Sequence, residues 1–264
     1  MPLKLADLLT KTPPDPEWLI EKMIHKHQFV VAAGDAGVGK SFFWYTAAFG
    51  IVLGSHFLLN RQCAQGPVLY FDDENSLPDL RDYLLKIWWA YGCPDPELIG
   101  ANLIIEHFML SKAGDAWPGY MSACISKVQP CLVVVDTVTT ALSVEDENDN
   151  AEASRIVRSL RRCMAQGRPD ASLLAMKHAK DGRVRGAKAW EGMPDQVLVQ
   201  SRLVGKQRAD GYHNSKIEST KRRTFGLREA LKIIPVNGGS AISLKSEPLQ
   251  VKQKKGTSKR VIGT

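Results

Sequence analysis

Short apolar runs alternate with longer proline-free stretches along the first two thirds of the chain. A run of about four to eight apolar residues bounded by Gly, Pro or polar residues indicates a buried strand, whereas a longer stretch favours a helix. The pattern predicts strands at residues 28–33, 68–71, 103–105, 131–135 and 171–176, and helices at residues 42–53, 80–91, 121–128 and 150–166. Strands and helices in this order are typical of a parallel sheet with helices on both faces.

The pattern changes after residue 196. Strand candidates at residues 197–200, 216–220 and 231–236 follow one another without a helix between them. Because parallel neighbours need a long crossover, we interpret these strands as an antiparallel extension of the same sheet. The predicted fold is therefore α/β, with a mainly parallel twisted sheet, helices on both faces and an antiparallel C-terminal extension.

The 264 residues are enough for one large α/β domain, which we place at residues 28–245. Residues 1–27 contain Pro13-Pro14-Asp15-Pro16 and the apolar Trp18-Leu19-Ile20. We expect them to form an N-terminal arm that lies on the core or on a neighbouring subunit. Residues 246–264 are expected to form a basic, mobile tail.

The net charge of +7 is distributed unevenly along the chain. Residues 201–264 hold 15 Lys and Arg against 4 Asp and Glu, whereas the other residues hold 20 against 24. This polarity indicates a polyanionic partner for the C-terminal third, although a solvated tail is the better interpretation of residues 252–260. Since there is no apolar run of about 18 residues and no secretion pattern at the start, we expect a cytoplasmic protein without a membrane partner.

The segment between the first strand and the first helix reads Gly34-Asp35-Ala36-Gly37-Val38-Gly39-Lys40-Ser41 and fills every fixed position of the pattern G-x-x-x-x-G-K-[ST]. Its glycines let the backbone turn so that N–H groups point at a phosphate beside the helix start. The alternative, a glycine-rich turn of no function, does not require this strand-loop-helix setting. The motif therefore predicts ATP binding by these residues and Phe42, with Lys40 on the β- and γ-phosphates and Ser41 on Mg²⁺.

Carboxylates follow two of the predicted strands. Asp136 ends the strand at residues 131–135, a position from which it would hold Mg²⁺ through water or through the Ser41 hydroxyl. Asp72, Asp73 and Glu74 follow the strand at residues 68–71, and we choose Glu74 as the general base that activates water. The alternative for this cluster is an acidic start of the next helix.

His178 ends the strand at residues 172–177, where a neutral imidazole would hydrogen-bond the γ-phosphate. The glycine-punctuated loop after it carries four basic residues and is predicted to bind the phosphates of a nucleic-acid strand. These residues are Lys180, Arg183, Arg185 and Lys188. A hydrogen-bonded core histidine and a solvated surface turn are the alternatives.

The order of these elements resembles the RecA-fold P-loop ATPases, and among them the plasmid and phage replicative helicases of the RepA type, relatives of the DnaB helicases. The resemblance extends from about Trp18 to Val236 and rests on the phosphate loop, Asp72-Asp73-Glu74, Val133-Val134-Val135-Asp136-Thr137, the acidic Glu145–Asn150, Arg185-Gly186-Ala187 and a late Lys-x-Arg. Lys177 stands beside His178 where the family often has a second histidine.

The resemblance implies a homohexameric ring with ATP between subunits and single-stranded DNA in a central channel. In such rings a neighbouring subunit supplies a lysine and an arginine to the γ-phosphate, and Lys221 and Arg223 match that element. Lys206 and Arg208 have the same spacing and are the competing pair. No replication initiator or primase partner follows from the sequence.

Two other functions remain open at this point. A RecA-type recombination or regulatory ATPase would bind DNA or protein without unwinding a duplex. A P-loop small-molecule kinase would use Arg183 and Arg185 as a lid, and single-stranded DNA would not stimulate its ATP hydrolysis.

Overall fold

The structure is a computed structural model and describes residues 17–57, 61–203, 215–222, 231–234 and 245–248. The helices in these ranges are α1 (Lys40–Leu53), α2 (Leu77–Ala90), α3 (Pro96–Asn102), α4 (Met109–Ala113), α5 (Trp117–Val128), α6 (Val138–Ala141), α7 (Asn150–Gly167) and α8 (Ala189–Gly192). The strands are β1 (Trp18–Ile20), β2 (Ile24–His25), β3 (Phe29–Gly34), β4 (His56–Phe57), β5 (Arg61–Gln62), β6 (Val68–Asp72), β7 (Leu103–His107), β8 (Leu132–Asp136), β9 (Ser172–Lys180), β10 (Arg183–Val184), β11 (Gln196–Arg202), β12 (Ser215–Arg222), β13 (Leu231–Ile234) and β14 (Lys245–Pro248).

One large sheet organises the described chain. Its strands lie in the order β14-β13-β12-β11-β3-β9-β8-β6-β7, and β10 folds back on β9. The strands from β11 to β7 in this order are parallel, whereas β12, β13 and β14 are antiparallel. The predicted fold class, a mainly parallel α/β sheet with an antiparallel C-terminal extension, is confirmed.

Both faces of the sheet are covered by helices. Successive side chains of a strand point to opposite faces, so Val30 and Ala32 face one core while Val31 and Ala33 face the other. Helices α1, α2 and α3 cover the first face, and helices α4 to α8 cover the second. A strand buried on both faces has no polar alternation, which explains the continuous apolar runs in the sequence.

Local capping sets where several helices begin. Helix α2 begins at Leu77 rather than at residue 80, because the Ser76 hydroxyl accepts a hydrogen bond from the Asp79 N–H at 3.3 Å. Helix α3 was missed by the periodicity argument, since its seven residues are too short to show a pattern. Its start is nevertheless encoded by Asp95, which accepts from the Glu97 N–H at 3.0 Å, and by Pro96 in the first turn.

Residues 17–27 pack into the core of this same chain. Strands β1 and β2 form a short antiparallel hairpin whose side chains Leu19, Ile20 and Ile24 are fully buried against the α1 face of the sheet. Residues 1–16 of the predicted arm lie outside the described residues. At the other end, β14 crosses the boundary predicted at residue 246, because Ser246 pairs with Ile233 of β13.

Within the described ranges, none of the helices combines the length and the apolar character that crossing a bilayer requires.

The burial of the hairpin predicts a large effect of Leu19→Ala on stability. The substitution leaves a cavity in a fully buried site and is expected to cost about 2–4 kcal/mol of unfolding free energy, measured by urea denaturation. Leu98→Ala is the matched control, since Leu98 is 41% exposed and should change stability by less than about 1 kcal/mol. Equal effects of the two substitutions would show that the hairpin is not part of the cooperative core.

Candidate active site

The carboxyl ends of four neighbouring strands bring the predicted site residues together. Gly34 at the end of β3 pairs with His178 of β9, and Asp72 at the end of β6 pairs with Asp136 of β8. Since β9 also pairs with β8, these four ends lie side by side at one edge of the sheet. Ligands bind at this edge in open α/β sheets.

The phosphate loop leaves the start of α1 available to an anion. Gly37 and Gly39 have φ values of 65° and 83°, a left-handed backbone that glycine adopts at little cost. Helix α1 has no side-chain cap and no acidic residue in its first turn. Its N–H groups and the positive end of its dipole therefore suit a phosphate group.

Lys40 is buried beside the loop to which it belongs. Lys40 is only 7% exposed, and its Nζ donates to the carbonyl oxygens of Gly34 at 3.0 Å and Asp35 at 3.1 Å. Burial lowers the pKa of Lys40, and the charges of Glu74 and Asp136 oppose that shift. The ammonium group is thus held by polar main-chain atoms in the neighbourhood of both predicted acidic site residues.

Asp136 has the properties expected of a cation ligand. It is fully buried, its Oδ2 accepts from the Tyr70 hydroxyl at 3.0 Å, and its Oδ1 has no hydrogen-bond partner among the described residues. Burial raises the pKa of Asp136 to about 7, with Asp72 adding to the shift and the nearby Ser41 hydroxyl opposing it. A buried oxygen without a partner next to a hydroxyl fits Mg²⁺, which prefers oxygen ligands.

The three carboxylates after β6 have different surroundings. Asp72 is buried and accepts from the Tyr45 hydroxyl at 2.7 Å, and Asp73 is buried and accepts from the Ser111 hydroxyl at 2.6 Å. Glu74 is exposed, and its charge acts on Lys40 and Asp136. Glu74 is therefore the carboxylate of this cluster that is open to water and near the predicted phosphate site.

His178 and its neighbour Lys177 point to different environments. His178 is half-buried, and burial together with the charge of Lys40 lowers its pKa, which favours the neutral imidazole. Lys177 is buried, with Nζ 4.8 Å from the centroid of the Trp190 ring and 3.4 Å from the Thr139 hydroxyl. Burial lowers the pKa of Lys177 as well. Of this pair, His178 is the residue next to the phosphate loop.

Comparison with known families agrees with this geometry. The family model described as an AAA domain matches residues 1–183, more than half of the chain. The chain belongs to this AAA domain family. It is therefore a P-loop ATPase with an NTP-hydrolysing domain. A search of curated protein sequences found no match.

Strand β11 braces the phosphate loop, which the sequence analysis did not predict. The Gln200 carbonyl accepts from the Asp35 N–H at 3.2 Å, and Gln200 Nε2 donates to the Val38 carbonyl at 3.2 Å. Arg202 Nη2 donates to the Ala36 carbonyl at 3.0 Å. Only the strand order places β11 beside β3, so no local motif identified these residues.

The predicted nucleic-acid loop begins with a hairpin at the same edge of the sheet. It turns at Asp181 and Gly182, both with positive φ, and Lys188 follows it just before α8. All four predicted basic side chains are exposed. Arg185 Nε lies 2.8 Å from Glu147 Oε2, and the Ala187 N–H donates to the Glu147 carbonyl at 2.8 Å. Arg185 is thus paired with the acidic segment, whereas Lys180 and Arg183 are exposed on the hairpin and Lys188 is exposed at the start of α8.

Lys221 lies away from the phosphate loop of its own chain. It pairs with Val197 of β11, whereas Gln200 of β11 pairs with Gly34, a separation of about 10 Å along the strand. Its Nζ donates to the carbonyls of Gly192 and Pro194. The other predicted residues of this kind, Arg223, Lys206 and Arg208, lie outside the described residues.

The packing of Gly34 predicts that Gly34→Ala weakens ATP binding. A Cβ atom there would come within 2.7 Å of Lys40 Cγ and Cδ, so the lysine would have to move. We expect the Kd for ATP to rise by about tenfold or more, measured by isothermal titration, because a misplaced charge loses its hydrogen-bonded contacts with phosphate. Gly100→Ala is the matched control, since a Cβ there meets nothing within 4 Å. An unchanged Kd for both variants would contradict the assigned role of Lys40.

The raised pKa of Asp136 predicts a pH-dependent effect of Asp136→Asn. The folded protein keeps this proton up to about pH 7, whereas the unfolded chain loses it near pH 4, so Asp136 destabilises the fold increasingly as pH rises between these values. Without Mg²⁺ or nucleotide, the unfolding free energy of Asp136→Asn relative to that of the parent should rise by about 2 kcal/mol between pH 5 and pH 8. Urea denaturation at both pH values measures this change. A difference independent of pH would contradict a raised pKa.

Proposed function

We propose that the protein is a ring-forming ATPase that translocates on single-stranded DNA and acts as a replicative DNA helicase. The observation that carries the proposal is the convergence of Lys40, Asp136, Glu74 and His178 at one edge of the sheet, beside the basic hairpin. In this proposal, ATP hydrolysis at this edge would take place next to the exposed basic residues that would bind a polyanion.

The residues of the site have complementary tasks in this proposal. Glu74 would accept a proton from the attacking water, since it is exposed and close to Lys40. Lys40 would stabilise the negative charge that spreads over the transferred phosphoryl group. When bound, Mg²⁺ held by Ser41 and Asp136 would neutralise phosphate charge. The neutral imidazole of His178 would donate a hydrogen bond to the γ-phosphate.

The position of Lys221 supports a site shared between subunits. Within its own chain Lys221 is separated from the phosphate loop along β11 and donates to the Gly192 and Pro194 carbonyls, so we assign its γ-phosphate contact to another copy. Arg223 follows two residues later and would enter the same neighbouring site. A ring is the closed assembly in which every such site has a partner.

The basic hairpin supports single-stranded DNA as the partner. Lys180, Arg183 and Lys188 are exposed at the edge that carries the phosphate loop, and the Arg185 N–H donates to the His178 carbonyl at 3.0 Å. The hairpin is therefore bonded directly to the residue that would sense the γ-phosphate. A change at the nucleotide would reach the DNA-binding residues through this main-chain contact.

Mixing two inactive variants tests the shared site. Lys40→Ala and Arg223→Ala subunits should each hydrolyse ATP poorly, while their mixture should recover part of the activity, because some sites combine an intact Lys40 with an intact Arg223. A mixture of Lys40→Ala and Glu74→Gln is the control, since both changes damage the same side of the site and no complete site forms. Steady-state phosphate release measures both mixtures. No recovery in the first mixture, or equal recovery in both, would contradict a shared site.

The salt dependence of DNA binding tests the partner. Replacing Lys180, Arg183 and Lys188 by Ala should reduce the log–log slope of affinity for single-stranded DNA against salt by about 2, since each neutralised phosphate contributes about 0.7. Replacing Arg155, Arg158 and Arg162 of α7 removes the same charge elsewhere and should leave the slope nearly unchanged. The parent protein should also open a forked duplex while hydrolysing ATP. A slope unaffected by the hairpin variant, or ATP hydrolysis without opening of the fork, would contradict the helicase proposal.

A further inference from the structure

A buried tyrosine joins the helix of the phosphate loop to the turn that carries Glu74. Tyr45 is fully buried on α1, about one helical turn after Lys40 and Ser41, and its hydroxyl donates to Asp72 Oδ2 at 2.7 Å. The Tyr45 ring stacks on Tyr70, with centroids 3.9 Å apart and an interplanar angle of 10°. The hydroxyl is therefore held in place by a rigid ring.

Asp72 in turn organises the turn that follows β6. Its Oδ1 accepts from the main-chain N–H groups of Glu74 at 3.1 Å and Asn75 at 2.9 Å. The Asn75 amide reaches both carboxylate oxygens, Oδ1 at 3.1 Å and Oδ2 at 2.9 Å. Each oxygen thus accepts from at least two donors, and the donors to Oδ1 include the main chain of Glu74 itself.

These contacts leave Asp72 no free side for water or substrate. Its two oxygens accept hydrogen bonds from the Tyr45 hydroxyl and from the turn after β6, and the residue is fully buried. A carboxylate in this arrangement cannot itself accept a proton from an attacking water. It can fix the direction in which the neighbouring Glu74 side chain leaves the backbone.

We propose that Tyr45 and Asp72 are positioning residues that hold Glu74 at a fixed place relative to Lys40. The contact runs from α1, which carries Lys40 and Ser41, through one hydroxyl and one carboxylate to the Glu74 main chain. The proposal rests on the function proposed above for Glu74. It adds that the base and the phosphate-binding lysine are aligned by one buried connection within a single subunit.

The chemistry of hydrolysis makes such alignment valuable. A general base must lie within hydrogen-bond reach of the proton it accepts, and a displacement of about 1 Å costs up to 10²-fold in rate. Hydrogen bonds to a buried carboxylate are charge-assisted and stronger than neutral ones. Removing the Tyr45 hydroxyl breaks the bond between α1 and Asp72 and should affect the rate of hydrolysis more than the binding of ATP.

Tyr45→Phe tests this inference, with Tyr91→Phe as the matched control. The hydroxyl of the partly buried Tyr91 also bonds to α1, but it donates to the Thr46 carbonyl at 3.0 Å and makes no hydrogen bond to the Glu74 turn among the described residues. We expect Tyr45→Phe to lower kcat by about tenfold with the Kd for ATP within twofold of the parent, and Tyr91→Phe to leave kcat within twofold. Asn75→Ala removes the amide that donates to both Asp72 oxygens and should reproduce the Tyr45→Phe result. It takes the place of Tyr45→Phe if that variant does not fold.

A double variant separates this inference from the proposed function. If Tyr45 acts through Glu74, adding Tyr45→Phe to Glu74→Gln should lower the residual rate by less than twofold. Equal losses of rate in the parent and Glu74→Gln backgrounds would overturn the inference, as would kcat values that are the same for Tyr45→Phe and Tyr91→Phe. In both cases a slow Glu74→Gln variant would leave the proposed function standing. A Glu74→Gln variant with the parental rate would instead overturn both.

Discussion

A basic group, Lys40, and an acidic group, Asp136, are buried together at the carboxyl edge of the sheet, and the rest of the site depends on keeping them there. Burial disfavours the charged forms of both Lys40 and Asp136, as the directions of their pKa shifts show. The protein offsets this cost with fixed dipoles, namely two loop carbonyls on Lys40 and the Tyr70 hydroxyl on Asp136. The free oxygen of Asp136 is the part of this arrangement that suits a cation.

The parallel register makes this arrangement possible. Strands β3, β9, β8 and β6 end together, so residues far apart in the sequence meet without long loops. Helix α1 contributes to the site in two ways. Its start forms the predicted phosphate position, and its Tyr45 hydroxyl donates to Asp72, which bonds the Glu74 turn. The phosphate loop and the proposed base are thereby connected through the same helix.

Much of this could be read from the sequence, for physical reasons that differ between residues. Doubly buried strands are continuous apolar runs, and the phosphate loop is a local motif, so the α/β fold and the positions of Lys40 and Asp136 followed directly. Glu74 was chosen among three adjacent carboxylates on chemical grounds, and the structure adds the reason why Asp72 and Asp73 differ, namely their hydrogen bonds to Tyr45 and Ser111. The bracing by Gln200 and the pairing of Arg185 with Glu147 depend on which strands and loops become neighbours, which no local pattern encodes.

The central claim is that this edge of the sheet is one half of an ATP site and that another copy of the chain supplies the other half. Electron microscope images of the protein with ATP and Mg²⁺ test it most directly. The account predicts closed rings of six copies with nucleotide between neighbouring copies. Isolated single copies that hydrolyse ATP at the full rate would contradict it.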